Sequence, residues 1–152
     1  MIPFSVSKTA AAADPYLVWN SFVNLCFSGS AEYSPTQRIA HMAFLYDAEV
    51  QNGGHYQYFE NGGLSAAKET ILALDLLGAG SQKAILEGAT QIYEKINPSE
   101  ETATTLEEFS EGALEGNYGE SDSQYYQCKP PLEEHLKAWL DSHFTDFIVW
   151  VE

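Results

Sequence analysis

Apolar residues recur at helical spacing through most of this chain, and glycines and prolines divide the recurrence into six or seven segments. Asp14 followed by Pro15 predicts a helix start, with the proline at the first helical position and the segment running through Phe22 toward Leu25 before Gly29 ends it. Ser34 and Pro35 repeat that signal. In the next helix Ile39, Met42, Ala43, Tyr46 and Val50 share one face while Phe44 and Leu45 point away from it, so the helix is expected to be covered on two sides and to sit centrally. His41 lies beside those two and reads as a hydrogen-bonded packing residue. Asn52-Gly53-Gly54 then stops the helix, because a glycine just past an apolar-periodic run supplies the left-handed residue of a helix end. Asn61-Gly62-Gly63 repeats the stop nine residues later. The short piece between them carries Tyr56, Tyr58 and Phe59 and predicts a rigid corner.

Ser65 is the expected cap of a helix with Ala67, Ile71 and Leu74 inward, closed by Gly78. Ser81 is the expected cap of the next, with Ile85, Ala89, Ile92 and Ile96 inward and Pro98 barring continuation. The two are expected to pack as an antiparallel pair. Thr105-Leu106-Glu107-Glu108 has capping-box spacing and opens an amphipathic helix in which Leu106, Phe109 and Ala113 oppose Glu107, Glu108, Glu111 and Glu115. Such a row sets carboxylates about 6 Å apart, at a local cost of a few tenths of a kcal/mol per pair. Gly116 to Gln127 reads as a turn region carrying Glu120 and Asp122. Pro130-Pro131 starts a last helix, with Leu132, Leu136, Trp139, Leu140 and His143 inward and Glu133 placed to pair with Lys137. The apolar tail Phe144, Phe147 and Ile148 to Val151 is expected to pack on the domain or on a partner, the domain being the usual dock for an apolar terminus. No segment alternates strongly enough to predict a strand, and no linker interrupts the chain. The expectation is one all-α domain over 1–152, organised around the central helix and its Asn-Gly-Gly corner.

Composition adds a charge imbalance. Of 152 residues, 22 are acidic and 7 basic, a formal −15 that disfavours nucleic acid and anionic membranes and favours basic partners. The same charge serves solubility in many proteins. Cys26 and Cys128 fit no disulfide framework or metal spacing and read as free thiols. With no signal-peptide core and no run of roughly 18 apolar residues, a soluble cytoplasmic protein is expected.

Chemical motifs are sparse. There is no His-Glu-x-x-His, no carboxylate three residues before any histidine, no calcium loop, no nucleotide fingerprint and no Gly-x-Ser-x-Gly elbow, so no metal and no cofactor is expected. The nearest approach to an active site is the corner, where Asp47, Glu49, His55, Tyr56 and Tyr58 are candidates to converge as acid, base and donors. The competing reading is structural. Glu49, Asn52, Gln57 and Asn61 are suited to satisfying backbone groups freed at successive helix ends.

Glu49-Val50-Gln51-Asn52-Gly53-Gly54-His55-Tyr56-Gln57-Tyr58-Phe59-Glu60-Asn61, followed by Ala73-Leu74 and Leu77-Gly78-Ala79, resembles the DNA-mimic protein 19-like family, much of which is known only as a domain of unknown function. The resemblance extends to the Leu136 to Phe147 ending. His55 stands where the family usually has an aromatic, and Gly62-Gly63 replaces a more serine-like continuation. The resemblance implies an all-helical fold. From the founding member it also implies a homodimer whose acidic surface imitates duplex DNA and occupies the DNA-binding face of a transcription factor. The shared motif, with Glu49, Asn52, Gly53, Gly54, Gln57, Tyr58, Phe59 and Asn61, looks like fold chemistry. Mimicry, as the resemblance implies it, would reside in acids outside the motif, for which Glu107, Glu108, Glu111, Glu115, Glu120 and Asp122 are the candidates here. The alternatives are an immunity-type inhibitor of a basic toxin, a small-molecule enzyme or sensor at the corner, and a helix bundle whose acidity serves only solubility.

Overall fold

A computed structural model describes residues 1–97 and 117–152. The helix expected from Thr105 onward, with Glu107, Glu108, Glu111 and Glu115, lies outside the described residues.

The architecture is all-α in its bulk, with seven helices among the described residues. They are α1 (Lys8–Ala13), α2 (Leu17–Cys26), α3 (Pro35–Leu77), α4 (Gly80–Ile96), α5 (Gly119–Tyr126), α6 (Leu132–Ser142) and α7 (Phe144–Phe147). As expected for a helix covered on two sides, α3 is central and packs against α2, α4, α5, α6 and α7.

The start of α3 is fixed by its own sequence. Ser34 Oγ accepts from the Gln37 backbone N–H at 3.2 Å and Gln37 Oε1 accepts from the Ser34 N–H at 2.9 Å, a capping box followed by proline in the first turn. Gln37 does more than cap. Its Nε2 donates to Met1 O at 2.8 Å and Asp146 O at 2.7 Å, so one buried carboxamide ties together distant parts of the chain. His41, as expected, is a packing residue, its Nδ1 2.6 Å from Cys26 O and its ring 4.7 Å from that of Tyr33.

Five readings need correction. The chain does contain strands, β1 (Phe4–Ser7) and β2 (Ile148–Val151), which pair in parallel with Phe4 opposite Ile148. Four residues are too few to display a period of two, and their partnership is decided by the tertiary fold that brings the segments together. Helix α1, capped by Ser7 Oγ on the Ala10 N–H, was likewise not anticipated. The region read as a turn between Gly116 and Gln127 holds α5, whose Ser121 and Tyr125 are buried in an otherwise polar stretch. Two helix starts also differ. Asp14 caps a turn, its Oδ1 accepting from Tyr16 N–H at 2.9 Å, and α2 begins at Leu17. Helix α4 starts before Ser81, on Ala79, without a side-chain cap.

The tail docks on its own domain through Phe147 and Ile148, while Val149, Trp150 and Val151 stay exposed. Phe147 is fully buried, with its ring 4.7 Å from Phe22 at 80°. Phe22 in turn sits 5.4 Å from both Trp19 and Phe44, so α2, α3 and the tail share one aromatic cluster. The two edge-to-face pairs, Phe22 with Phe44 and with Phe147, contribute about 0.5–1.5 kcal/mol each beyond area burial.

Candidate functional site

Helix α3 is broken at the predicted corner. Gly53 (φ −152°, ψ 18°), Gly54 (φ 72°) and Gly63 (φ 65°) are non-helical, leaving two bends that flank a short helical piece. At Gly54 the conformation and the space around it both demand glycine. A Cβ built there falls 2.5 Å from Asp122 Oδ2, because α5 brings that carboxylate onto the bend.

Asp122 Oδ1 accepts from the His55 backbone N–H at 2.8 Å and lies 2.7 Å from His55 Nδ1. The first of these bonds satisfies a donor released by the helix break. On the far side of the ring, His55 Nε2 lies 2.8 Å from the Tyr46 hydroxyl. Burial lowers the His55 pKa, against the opposing hydrogen bond and charge of Asp122, and so favours the neutral ring. Nδ1–H therefore donates to Asp122 and Nε2 accepts from Tyr46. Next to this chain Tyr125 OH donates to Asp47 Oδ1, and Tyr126 OH donates to Val50 O at 2.8 Å. Burial first, then neighbouring charge, pushes the Tyr46 and Tyr125 phenols well above their ordinary range. His55 and Tyr46, the middle of this chain of groups, are both completely buried. What it does is fasten α5 to the bend.

A second set of bonds joins the motif's polar residues to one another. Gln57 Nε2 donates to Glu49 Oε2 at 2.6 Å, Asn61 Nδ2 donates to the same oxygen at 2.9 Å, and Asn52 Nδ2 donates to Gln57 Oε1 at 3.1 Å. These side chains were expected to satisfy backbone groups at the helix ends; instead they bind one another, and the freed His55 N–H goes to Asp122. Gln57 lies close over Gly53, where an added Cβ would fall 2.2 Å from Oε1. Tyr58 and Phe59 turn inward. Tyr58 OH donates to Thr70 Oγ1 at 2.8 Å, and burial pushes the phenol up to about 12. Phe59 stacks between Tyr93 at 4.7 Å and Tyr118 at 5.5 Å.

Of the acids proposed for a partner surface, Glu120 is exposed in the first turn of α5, where it accepts from Gln124 at 3.2 Å. Asp122 is committed to His55, with 26% of its side chain exposed. The hydrogen bonds of Tyr46, Thr70 and Tyr125 escaped the sequence reading, since a hydroxyl at an inward helical position carries no signal of its partner.

The sequence profile of the DMP19-like protein family matches residues 31–143, about three quarters of the chain. The chain belongs to the DMP19-like family. Its matched span takes in α3 with both bends, α4, α5 and α6, so the corner and its Asp122 anchor fall within the family's shared region. No curated protein and no solved structure gives a significant match.

For this DMP19-like chain, removing the anchor has a defined cost. Asp122→Ala leaves the buried N–H groups of His55 without an acceptor and is expected to lower unfolding free energy by about 2 kcal/mol, whereas Asp122→Asn, which keeps an oxygen there, recovers most of it. Urea unfolding of the two variants checks this. Equal losses in both would show that the carboxylate's charge, and not its acceptor geometry, holds the bend.

Proposed function

We propose that this protein is an acidic, non-enzymatic binding protein of the cytoplasm that occupies the DNA-binding face of a basic regulator, acting as a homodimer like the founding member of its family. The observation that carries the reading is the charge. The chain holds a formal −15 with only 7 lysines and arginines. Three of those, Arg38, Lys83 and Lys137, are already engaged by carboxylates of the same chain, leaving the acidic field little opposed. Such a field repels nucleic acid, speeds encounter with a basic surface and offers carboxylates as phosphate substitutes to arginine and lysine. Membership in the DMP19-like family supports a role in protein–protein interaction.

The test is capture of cytosolic proteins on the tagged chain at rising salt, with duplex DNA as competitor. A basic DNA-binding protein is expected, released by salt and displaced by DNA. Reversal of Glu111, Glu115 and Glu120 to lysine is expected to weaken that complex about tenfold or more. Reversing Glu32, Glu94 and Glu152 changes net charge equally and is expected to do less. If the two triple variants behave alike, bulk charge rather than the proposed acids mediates binding. Recovery of a basic nuclease instead would assign the protein to toxin neutralisation.

A further inference from the structure

The short helical piece between the bends of α3, the end of α4 and the residue preceding α5 border a cavity of about 160 Å³, lined by Tyr56, Phe59, Glu60, Tyr93, Asn97 and Tyr118. Four of these six are aromatic, yet the lining is more polar than apolar, so the cavity is offered polar ends more than ring faces. The stacking of Phe59 with Tyr93 and Tyr118 accounts for this, since the rings cover one another's faces. Tyr118 is 2% exposed, and its hydroxyl has no hydrogen-bond partner among the described residues. A buried phenol in that condition lacks a bond that a ligand can supply. Burial first, then the neighbouring Tyr93 and Glu60, raises this phenol to about 12, so its oxygen lies within electrostatic reach of both and keeps its proton at neutral pH. Glu60 is exposed and makes no ion pair or hydrogen bond among the described residues. Asn97 Nδ2 is spent on Tyr93 O at 3.2 Å, which leaves Oδ1 to accept.

We propose that this cavity binds a guanidinium group, with two of its N–H groups on the Glu60 carboxylate and the others on the hydroxyl oxygens of Tyr118 and Tyr93. The chemistry selects against other occupants. An anion meets the carboxylate, and a planar neutral amide has the shape but gains no charge-assisted bond. An ammonium carries three donors on one point, whereas a guanidinium spreads five over a plane. Glu60 has both oxygens unengaged among the described residues, so it can take the fork of a guanidinium as a bidentate pair, and the phenols supply acceptors for the rest. The volume admits such a head with a short stem and excludes a nucleotide or a folded segment. The overall −15 charge draws cations toward the protein.

A guanidinium reaches the cavity either on a free small molecule or as the arginine side chain of a partner. Neither source depends on the DNA-mimic reading, and the test uses no regulator, so the two proposals fail separately. The Asn97 side-chain NH₂ and the Tyr118 ring report on the site by nuclear magnetic resonance of the whole chain. Ethylguanidinium is expected to shift them saturably. N-ethylurea, its neutral planar counterpart, is expected to leave them in place at equal concentration, and butylammonium to bind about tenfold more weakly. Glu60→Gln, at an exposed position, is expected to weaken ethylguanidinium about tenfold or more, while Glu152→Gln, the same change in net charge, leaves it unaltered. Tyr118→Phe keeps the ring stack and deletes the hydroxyl, and is expected to weaken binding about fivefold with Tm unchanged. Tighter binding of a blocked arginine peptide than of ethylguanidinium assigns the cavity to a partner's arginine; the reverse order assigns it to a free guanidine. Unmoved resonances, equal binding of N-ethylurea or butylammonium, equal losses in Glu60→Gln and Glu152→Gln, or a Tyr118→Phe that loses stability but not affinity would overturn the proposal.

Discussion

Replacing Gly54 with alanine is expected to destabilise the protein by about 3–5 kcal/mol, the largest loss from adding a single methyl at the corner. Two effects combine. The residue sits at φ +72°, where an L side chain costs about 1–3 kcal/mol. The new Cβ also falls 2.5 Å from Asp122 Oδ2, so the carboxylate must retreat from the His55 N–H groups, each a buried donor worth about 1–3 kcal/mol when left unpaired. Gly63 separates the terms. It has φ +65° and nothing within 4 Å of an added Cβ, so Gly63→Ala carries the backbone strain alone. For a chain of this size the Gly54→Ala loss corresponds to a Tm lower by roughly 10 °C. Calorimetry of the two variants decides the matter. Equal drops would mean that the Asp122 contact contributes nothing.

The second large effect is expected from alkali. Tyr46, Tyr58 and Tyr125 are buried, each with a hydroxyl that has a partner, and burial raises all three pKa values above the ordinary 10, Tyr58 to about 12. The sign follows from proton counts. Above pH 10 the unfolded chain loses these protons and the native chain keeps them, so the unfolded state binds fewer and stability falls with rising pH. Each tyrosine contributes a slope of about 1.4 kcal/mol per pH unit until its native pKa is passed, and three together give about 4 kcal/mol per unit. The buried Cys26 thiol, also raised by desolvation, adds a loss of the same sign from near its ordinary pKa of 9. Against a total stability of about 5–15 kcal/mol, unfolding is expected within a few units above pH 10. The part of the tyrosinate absorbance that belongs to these three phenols should then appear together with the loss of helical circular dichroism. Tyr58→Phe is expected to make the slope shallower by about 1.4 kcal/mol per unit between pH 10 and 12. Titration of all nine tyrosines near pH 10 while the helices persist would contradict the burial argument.

Both predictions turn on contacts that join distant parts of the chain. Asp122 reads in sequence as one acid among many in a polar stretch, and it was grouped with the surface carboxylates. Its attachment to His55 depends on α5 crossing the bend, which no local pattern records. The same holds for Gln37. Its capping bond to Ser34 follows from a spacing of three residues, whereas its bonds to Met1 O and Asp146 O depend on how the chain closes on itself.

What the sequence determined by itself was therefore what short-range chemistry determines. Helical periodicity marked the central element, Ser34 and Pro35 its beginning, the two Asn-Gly-Gly stops its bends, and Gly78 its left-handed end. It also determined the charge and the family. Tertiary structure decided the pairing of β1 with β2, the helix in the polar stretch after 116, the enclosure of His55 between Tyr46 and Asp122, and the mutual binding of Glu49, Asn52, Gln57 and Asn61. The physical reason is one of range. Backbone preferences and caps act over a few residues, whereas the partner of a side-chain donor is whichever acceptor the packed helices bring within 3 Å, and that is a property of the closed fold.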